Sequence, residues 1–281
     1  MKIAYVVLHF MAVKETIECA ESLLSLNDVN SESIIIIVDN CSPDNSFSVL
    51  KGKYANNNRV IIIHNDENLG YAKGNNVGYK YAKYECKADV IVQINNDTLI
   101  TQKDFNDILL KKIGLNKYYV IGPDIITKDG YHQNPVNKKL FKINETKKYR
   151  VKKRIKMFFI MIGVDGWFSK NKDLVYRKDT LVGDYENMFL HGACYIFTPK
   201  FIECYDGLDP RTFLFWEEDI LMLKLKRENK PVLYTSDLMI CHKEDASTDS
   251  YMKKAKSKKL WIEEQLIKSS KIYEEVYREG E

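Results

Sequence analysis

The stretch VIVQINNDTLI, residues 90–100, is an apolar run that ends by setting Asn95, Asn96, Asp97 and Thr98 side by side. Two amides, a carboxylate and a hydroxyl at such a point make either a solvent turn or a ligand site, and the other polar clusters bear on the choice. Asp39 follows five apolar residues, 34–38, where a carboxylate is costly unless something pairs with it. The segment VDNCSPDNS adds Asn40, Ser42 and Asp44; Asp44 or Ser46 serves equally well as a cap for the next helix. HNDENLGYAKGNNVGY, residues 64–79, contains Asn68 and spaces Gly70, Gly74 and Gly78 by four, which is not the dinucleotide fingerprint. A loop glycine followed by close helix packing explains these glycines, while Lys73 and Asn75 beside them point to an anion at a helix N-terminus. FLFWEEDILMLKLK puts Glu217, Glu218 and Asp219 at a helix start, a place that acids favour through the dipole alone. His242 closes the strand-like run PVLYTSDLMICH, where a histidine is as readily structural as functional.

These clusters need a frame to hold them. Residues 2–9 and 33–39 are continuous apolar runs rich in β-branched residues, as expected of strands covered on both faces. Between them Ile17, Ala20, Leu23, Leu24 and Leu26 recur at helical spacing, which makes a βαβ unit. The alternation continues with a helix near 46–55, a strand at 59–64, a helix near 72–84, a strand at 89–94, a helix near 103–113 and the strand YYVIGPDII. Such alternation implies a parallel sheet with right-handed crossovers, Rossmann-like over the first ~125 residues. Ligands of an open parallel sheet sit beyond the carboxyl ends of its strands, where the segments containing Asp39, Gly70 and Asp97 all begin. Beyond Lys128 a polar, basic stretch interrupts the pattern. Regularity returns at NMFLHGACYIFTP, in a helix over FWEEDILMLKLKREN, in the strand over PVLYTSDLMICH, and in a tail helix from Tyr251 with Ile262, Leu266, Tyr273 and Tyr277 on one side. We expect a single domain over 1–281: a ligand-binding half at 1–128, an insertion and second half at 129–250, and a helical tail at 251–281.

The composition, 45% hydrophobic and 29% charged, is that of a soluble globular chain and excludes global disorder. The net charge is only +4, yet residues 138–156 carry ten Lys or Arg against the single acid Glu145. Phe141 and Tyr149 within that run form no nucleic-acid motif, so a solvated loop or an anionic membrane surface is the expected setting, and no nucleic acid partner is expected. Six cysteines at irregular spacing, without a CxxC pair, argue against a zinc site or disulfide framework and fit a reducing cytosol. The opening MKIAYVVLHF is too short to read as a signal peptide and lacks a small-residue cleavage site. MFFIMIGV, 157–164, falls far below the ~20 residues of a membrane-spanning helix. The expected location is cytoplasmic, with peripheral contact to the inner face of the cell membrane through 138–164.

In their order, VVLHF, VDNCSPDNS, ENLGYAKGNNVGY, INNDT, HGACYIF, FLFWEED and CHKEDAS, spanning residues 5–247, resemble the motifs of glycosyltransferase family 2, and especially its rhamnosyltransferase-like members. Each motif is loose; seven in the family's order carry the resemblance. It implies an α/β fold of the GT-A type, with a Rossmann-like, mostly parallel central sheet, helices on both faces and a C-terminal helical tail. It also implies that Asp39, with Asn40 and Ser42, holds the base or ribose of a nucleotide sugar. His9, Asn68, Gly70, Lys73, Asn75 and Asn96 would then lie along the nucleotide and its phosphates. NND becomes the counterpart of the family's DXD motif, with Asp97 binding Mn2+ or Mg2+ and His242 a further metal or diphosphate contact. Oxygen-ligand chemistry agrees, since magnesium commonly takes one or two carboxylates plus substrate phosphates. By the same resemblance Asp219 ends the family's ED pair as general base with Glu218 beside it, and His191 and Trp216 are candidate acceptor contacts. The sequence departs from the common pattern at Asn95 and Asn96, where many members carry aspartates, and at His9, where asparagine is frequent.

The expected activity is inverting transfer of rhamnose or a hexose from a dTDP- or UDP-sugar to a hydroxyl of a glycan or lipid-linked glycan, in bacterial surface polysaccharide synthesis. Two other classes remain in view. A nucleotidyltransferase or dinucleotide oxidoreductase uses a related sheet, and the absence of GxGxxG after the first strand counts against the oxidoreductase. A non-catalytic nucleotide-sugar-binding subunit is disfavoured by the intact Asp97 and Asp219.

Overall fold

The computed structural model describes residues 1–164, 178–244 and 255–280. Strands β1 (Lys2–His9), β2 (Glu32–Asp39), β3 (Val60–His64) and β4 (Val90–Asn95) lie parallel in the order β3-β2-β1-β4. They are the apolar runs of the sequence, and every β2 residue after Glu32 is buried, as coverage on both faces requires. Helices α1 (Val13–Leu24), α2 (Ser46–Lys53) and α4 (Phe105–Gly114) pack on one face through Leu23, Leu50, Phe105 and Leu109, against Tyr5, Val7 and Val92. Helix α3 (Gly70–Lys80), extended by a π turn at Tyr81–Glu85, packs on the other face against Val6 and Val38. Two of its glycines make that approach possible. A Cβ at Gly74 would sit 2.7 Å from Leu8 and one at Gly78 2.5 Å from Val6.

Past β4 the expected parallel succession changes. The strand after α4, β6 (Val120–Thr127), is not the neighbour of β4: β8 (Cys194–Phe197) inserts antiparallel between them. Strand β9 (Val232–His242) then lies parallel to β6, and the short β5 (Thr98–Leu99) and β7 (Asp184–Glu186) pair antiparallel with it. The parallel ladders are the long ones, so the sheet is mixed but mostly parallel. All four β8 residues are buried, so the pattern of an insertable central strand was in the sequence. Its neighbours were not, because strand pairing is a non-local choice.

The basic stretch is a second difference. Residues expected as a solvated loop or an anionic membrane surface build the 20-residue helix α5 (Ile143–Ile162), which packs along α8 (Ala255–Arg278). Glu145 caps its start by accepting from Lys142 N at 2.7 Å, and Gly163 ends it in the left-handed conformation, φ 78°. The charges that made the run look solvated are partly answered by α8. Arg150 pairs with Glu274 at 2.5 Å, and Lys153 and Lys156 pair with the buried Glu263 at 3.1 and 2.6 Å. Residues 165–177 of the expected insertion, and 245–254 with the end of CHKEDAS and the start of the expected tail helix, lie outside the described residues. Among the described residues no helix is long and apolar enough to cross a membrane.

Candidate active site at the strand ends

β1 and β2 end in register at His9 and Asp39, and β3 brings His64 opposite Asp39. Asp39 is fully buried. Its Oδ2 accepts from His64 Nδ1 at 2.7 Å and from Ser42 N at 3.3 Å, while its Oδ1 is buried with no hydrogen-bond partner. An unpaired buried carboxylate oxygen costs folding free energy, and His9 Nε2, 3.8 Å away, is too distant to supply the missing hydrogen bond. His9, expected at the nucleotide, is a brace instead. Its ring nitrogens engage the hydroxyls of Thr16 at 2.7 Å and Ser46 at 2.8 Å, and burial lowers its pKa, which keeps it neutral. Ser42 Oγ accepts from Met11 N at 3.0 Å, which ties the loop after β2 to the loop after β1.

The asparagines of this edge shape loops. Asn40 donates to Asn68 Oδ1 and Gly70 O at 3.0 and 3.1 Å, and accepts from Asn65 Nδ2 and Leu69 N at 3.1 and 3.0 Å. The hydrogen-bonding capacity of Asn40 is filled, and Asn68 Oδ1, which accepts from Asn40 and from Gly70 N at 3.0 Å, joins it in fixing the turn into α3. Gly70 sits at φ 77°, where a Cβ would stand 2.4 Å from Phe213 O; its role is the turn and the close approach, not a phosphate cradle. Asn75 is buried and donates to Tyr71 O at 3.0 Å. Lys73 lies on another side of α3, where it lines, with Asn76 and Lys80, a cleft of about 550 Å³ that none of Asp39, Asp97 or His242 borders. The expected phosphate contact at Lys73 is therefore not brought to the Asp39 edge, because α3 turns its glycine face, not its lysine face, to the sheet.

β4 delivers the NND cluster. Asn95 Oδ1 accepts from Tyr71 Oη at 3.0 Å and Asn96 Nδ2 donates to Thr16 Oγ1 at 3.0 Å, which ties the turn to α3 and α1. Asp97, the carboxylate of the cluster, is buried beside His242. The β5–β9 pairing sets Thr98 opposite His242, and His242 Nε2 stands 3.2 Å from Asp97 Oδ1. Gln133 fixes the tautomer: its Nε2 donates to Glu244, so its Oε1, 2.7 Å from His242 Nδ1, accepts the proton carried there. A neutral His242 then turns a lone pair toward a carboxylate oxygen, which is repulsive unless the ring is protonated or a cation sits between them. Among the described residues no three His, Cys, Asp or Glu side chains surround one point. Two protein ligands completed by diphosphate oxygens fit magnesium or manganese. The His191 ring lies 5.9 Å from that of His242. Its Nδ1 accepts from Ala193 N at 3.1 Å, and burial lowers its pKa to about 4, so it is a neutral ring with an Nε2–H donor.

Trp216, at φ 71°, turns the chain into α7 (Glu217–Arg227), whose first turn carries three acids in three environments. Glu217 is buried, accepts from Thr212 Oγ1 at 2.9 Å, and is raised by burial to about 8, so it holds its proton at neutral pH. Glu218 is half-buried and packs on Gly192, where a Cβ would come within 3.0 Å of its Oε1. The glycine of HGAC thus makes room for this carboxylate beside His191. Asp219 is buried; its Oδ2 pairs with Lys138 Nζ at 2.6 Å, and its Oδ1 has no hydrogen-bond partner. Burial raises its pKa to about 6, with Lys138 pulling the other way. Lys138 Nζ lies over the rings of Phe141, Phe189 and Trp216 at 5.6, 5.0 and 5.6 Å. The sequence reading did not single Lys138 out, since it is the first of a basic run and its partner lies 81 residues away. Trp216, expected as an acceptor contact, is a core ring: it is 4% exposed and packs on Phe141, Tyr149 and Tyr273 at 4.9 to 5.1 Å.

Residues 6–174 match the profile of a family described as glycosyl transferase family 2. Among curated proteins the chain is 23% identical over 190 residues to the low-salt glycan biosynthesis hexosyltransferase Agl10 of Haloferax volcanii, covering 66% of this chain and 52% of that one. Among solved structures it resembles S. aureus TarS 1–349, with a TM-score of 0.55 at 16% identity over 86% of this chain and 60% of that chain. It also resembles GalNAc-T7 with UDP, GalNAc and Mn2+, with a TM-score of 0.57 at 13% identity over 86% of this chain and 43% of that chain. At these identities the structural likeness shows the fold, which is GT-A. The chain spans about half the length of the curated relative it matches.

Proposed function

The chain belongs to glycosyl transferase family 2, and on that premise we propose that it is an inverting glycosyltransferase using a nucleotide-diphosphate sugar, UDP- or dTDP-linked. It transfers a hexose or rhamnose to a hydroxyl of a glycan or lipid-linked glycan in bacterial surface polysaccharide synthesis. The observation that carries the reading is the pair Asp97 and His242, which meet across β5 and β9 with His242 Nε2 3.2 Å from Asp97 Oδ1. Asp39 Oδ1, the unpaired oxygen at the end of β2, accepts a hydrogen bond from the base or ribose. Asp97 and His242 would hold Mn2+ or Mg2+, and the metal, when bound, supplies Lewis-acid stabilisation of the departing diphosphate. His191 donates its Nε2–H beside that pair. Asp219 accepts the proton of the attacking hydroxyl, with Glu218 next to it as the nearest substitute. In-line attack by that hydroxyl inverts the anomeric centre without a covalent sugar on the protein.

In this reading 1–281 is one domain: 1–128 receives the nucleotide, 129–250 brings the acceptor and the acids of α7, and the tail, 251–281, carries α8, which packs along α5. The protein works in the cytoplasm, held to the inner membrane face by α5. The test is thermal stabilisation by UDP, dTDP and GDP, each with manganese and with chelator. We expect one uridine or thymidine nucleotide to raise Tm more with manganese, and Asp97→Asn to remove most of that difference. Equal shifts with and without metal, in wild type and variant alike, would overturn the metal assignment.

A further inference from the structure

A cleft of about 710 Å³ lies between α7 and the segment leading into α5. Four of its lining residues are lysines, Lys138, Lys139, Lys226 and Lys230; two are asparagines; none is acidic. The whole chain carries 43 basic and 39 acidic residues, so an average surface would set nearly one acid against each base. The cleft departs from that average by concentrating one sign. Lys139 and Lys226 are exposed and have no ion pair among the described residues. Lys230 pairs with Glu228 at 2.6 Å. Lys138, at the other end of the set, reaches Asp219. Phe189 and Met222 supply apolar floor.

The lining defines the ligand class. Unmatched ammonium groups favour an anion, and amides suit hydroxyls. The volume falls within the range of small-molecule sites, about 300–1,000 Å³, far more than a bare phosphate fills. We propose that this cleft binds the anionic part of the acceptor, a uronate or a phosphodiester unit of a glycan, and that Lys138 links its occupancy to Asp219. The link rests on the reading of Asp219 as general base. Lys138 shares its charge between the cleft and that carboxylate, so an anion that draws Lys138 toward the cleft uncaps Asp219 Oδ2 as the acceptor arrives. By reciprocity, loss of the Asp219 charge frees Lys138 for the anion.

Binding measured on the full chain without donor tests the proposal, by calorimetry with a galacturonate trisaccharide, a glycerol-phosphate trimer and neutral maltotriose. We expect one charged probe to bind at least about tenfold more tightly than maltotriose, and its identity separates carboxylate from phosphodiester. Lys139→Gln with Lys226→Gln should weaken that probe about tenfold with Tm and UDP affinity unchanged, and Asp219→Asn should tighten it several-fold. No binding of either charged probe at millimolar concentration, equal binding of maltotriose, or full affinity in the double variant overturns the site. Unchanged affinity in Asp219→Asn overturns the link to the base. Because neither donor nor turnover enters the measurement, failure of the glycosyltransferase reading appears separately, as loss of metal-dependent nucleotide binding.

Discussion

At the scale of single residues, the site depends on carboxylates whose surroundings differ more than their sequence neighbours suggest. Glu217, Glu218 and Asp219 are consecutive, yet one holds its proton, one is half-open beside His191 and one is buried against a lysine. As the proposed general base Asp219 must be ionised, and burial raises its pKa to about 6. Transfer should therefore fall as pH drops through about 6. The cation facing Asp219 is Lys138. The other titratable groups around it are Glu217 and Glu218 on α7, Tyr149 on α5, Tyr195 on β8 and Tyr273 on α8, with burial raising all three tyrosines out of this range. Lys138→Met removes the one charge that lowers the value, so the acid limb of kcat/KM should move to higher pH; a limb that stays in place would mean that another group titrates. Asp219→Asn should cost on the order of 10² to 10⁴ in turnover with nucleotide affinity kept, since an interaction made only in the transition state is lost. Full activity in that variant, with loss in Glu218→Gln, would move the base to Glu218.

At the scale of elements, α7 gathers three acids in its first turn, and it carries a stability signature. Glu217 titrates at about 8 in the fold against 4.5 for an ordinary glutamate, because burial disfavours its charge. The folded chain thus keeps a proton that the unfolded chain has released between those values. Stability contributed by this proton is full below about 4.5 and is lost as pH rises through about 8. Glu217→Gln cannot ionise, so its Tm should decline less than that of wild type between pH 6 and 9. Parallel Tm curves would place the titration elsewhere. The same element shows why acids at a helix start were a poor guide by themselves: the dipole places them there, and only packing tells which one meets solvent, glycine or lysine.

At the scale of the whole molecule, α5 divides its surface between two duties. One face gives Arg150, Lys153 and Lys156 to the acids of α8. Another leaves Val151, Ile155, Phe158 and Ile162 exposed, at spacings that keep them along one side, with Lys147, Lys148 and Lys152 exposed nearby. An apolar stripe flanked by bases is suited to an anionic leaflet, where each base near the surface adds about 1 kcal/mol. Vesicles containing phosphatidylglycerol should bind the protein at low salt and release it as salt rises. Serine at Val151, Ile155 and Phe158 together should weaken the binding at least about tenfold. Absence of binding to these vesicles at low salt would leave α5 only its packing role against α8.

The sequence by itself determined the βαβ succession, the strand ends at Asp39 and just before Asp97 and the helix start at Glu217, because apolar periodicity and the loss of it are local signals. It also showed which residues near those ends are polar. What it could not show is which of them have capacity left over. Asn40 and His9 look like ligand contacts until their partners, from 7 to 37 residues away, fill them. Asp39 Oδ1 and the facing pair Asp97 and His242 stand out only after that subtraction. Lys138 is the opposite case, one basic residue among ten in its run until the fold brings it to Asp219. The physical reason is the same throughout. Strand and helix formation are decided by neighbours along the chain, whereas hydrogen-bond satisfaction, burial and charge pairing are decided by neighbours in space, and those exist only once β8 has entered the sheet and α5 has met α8.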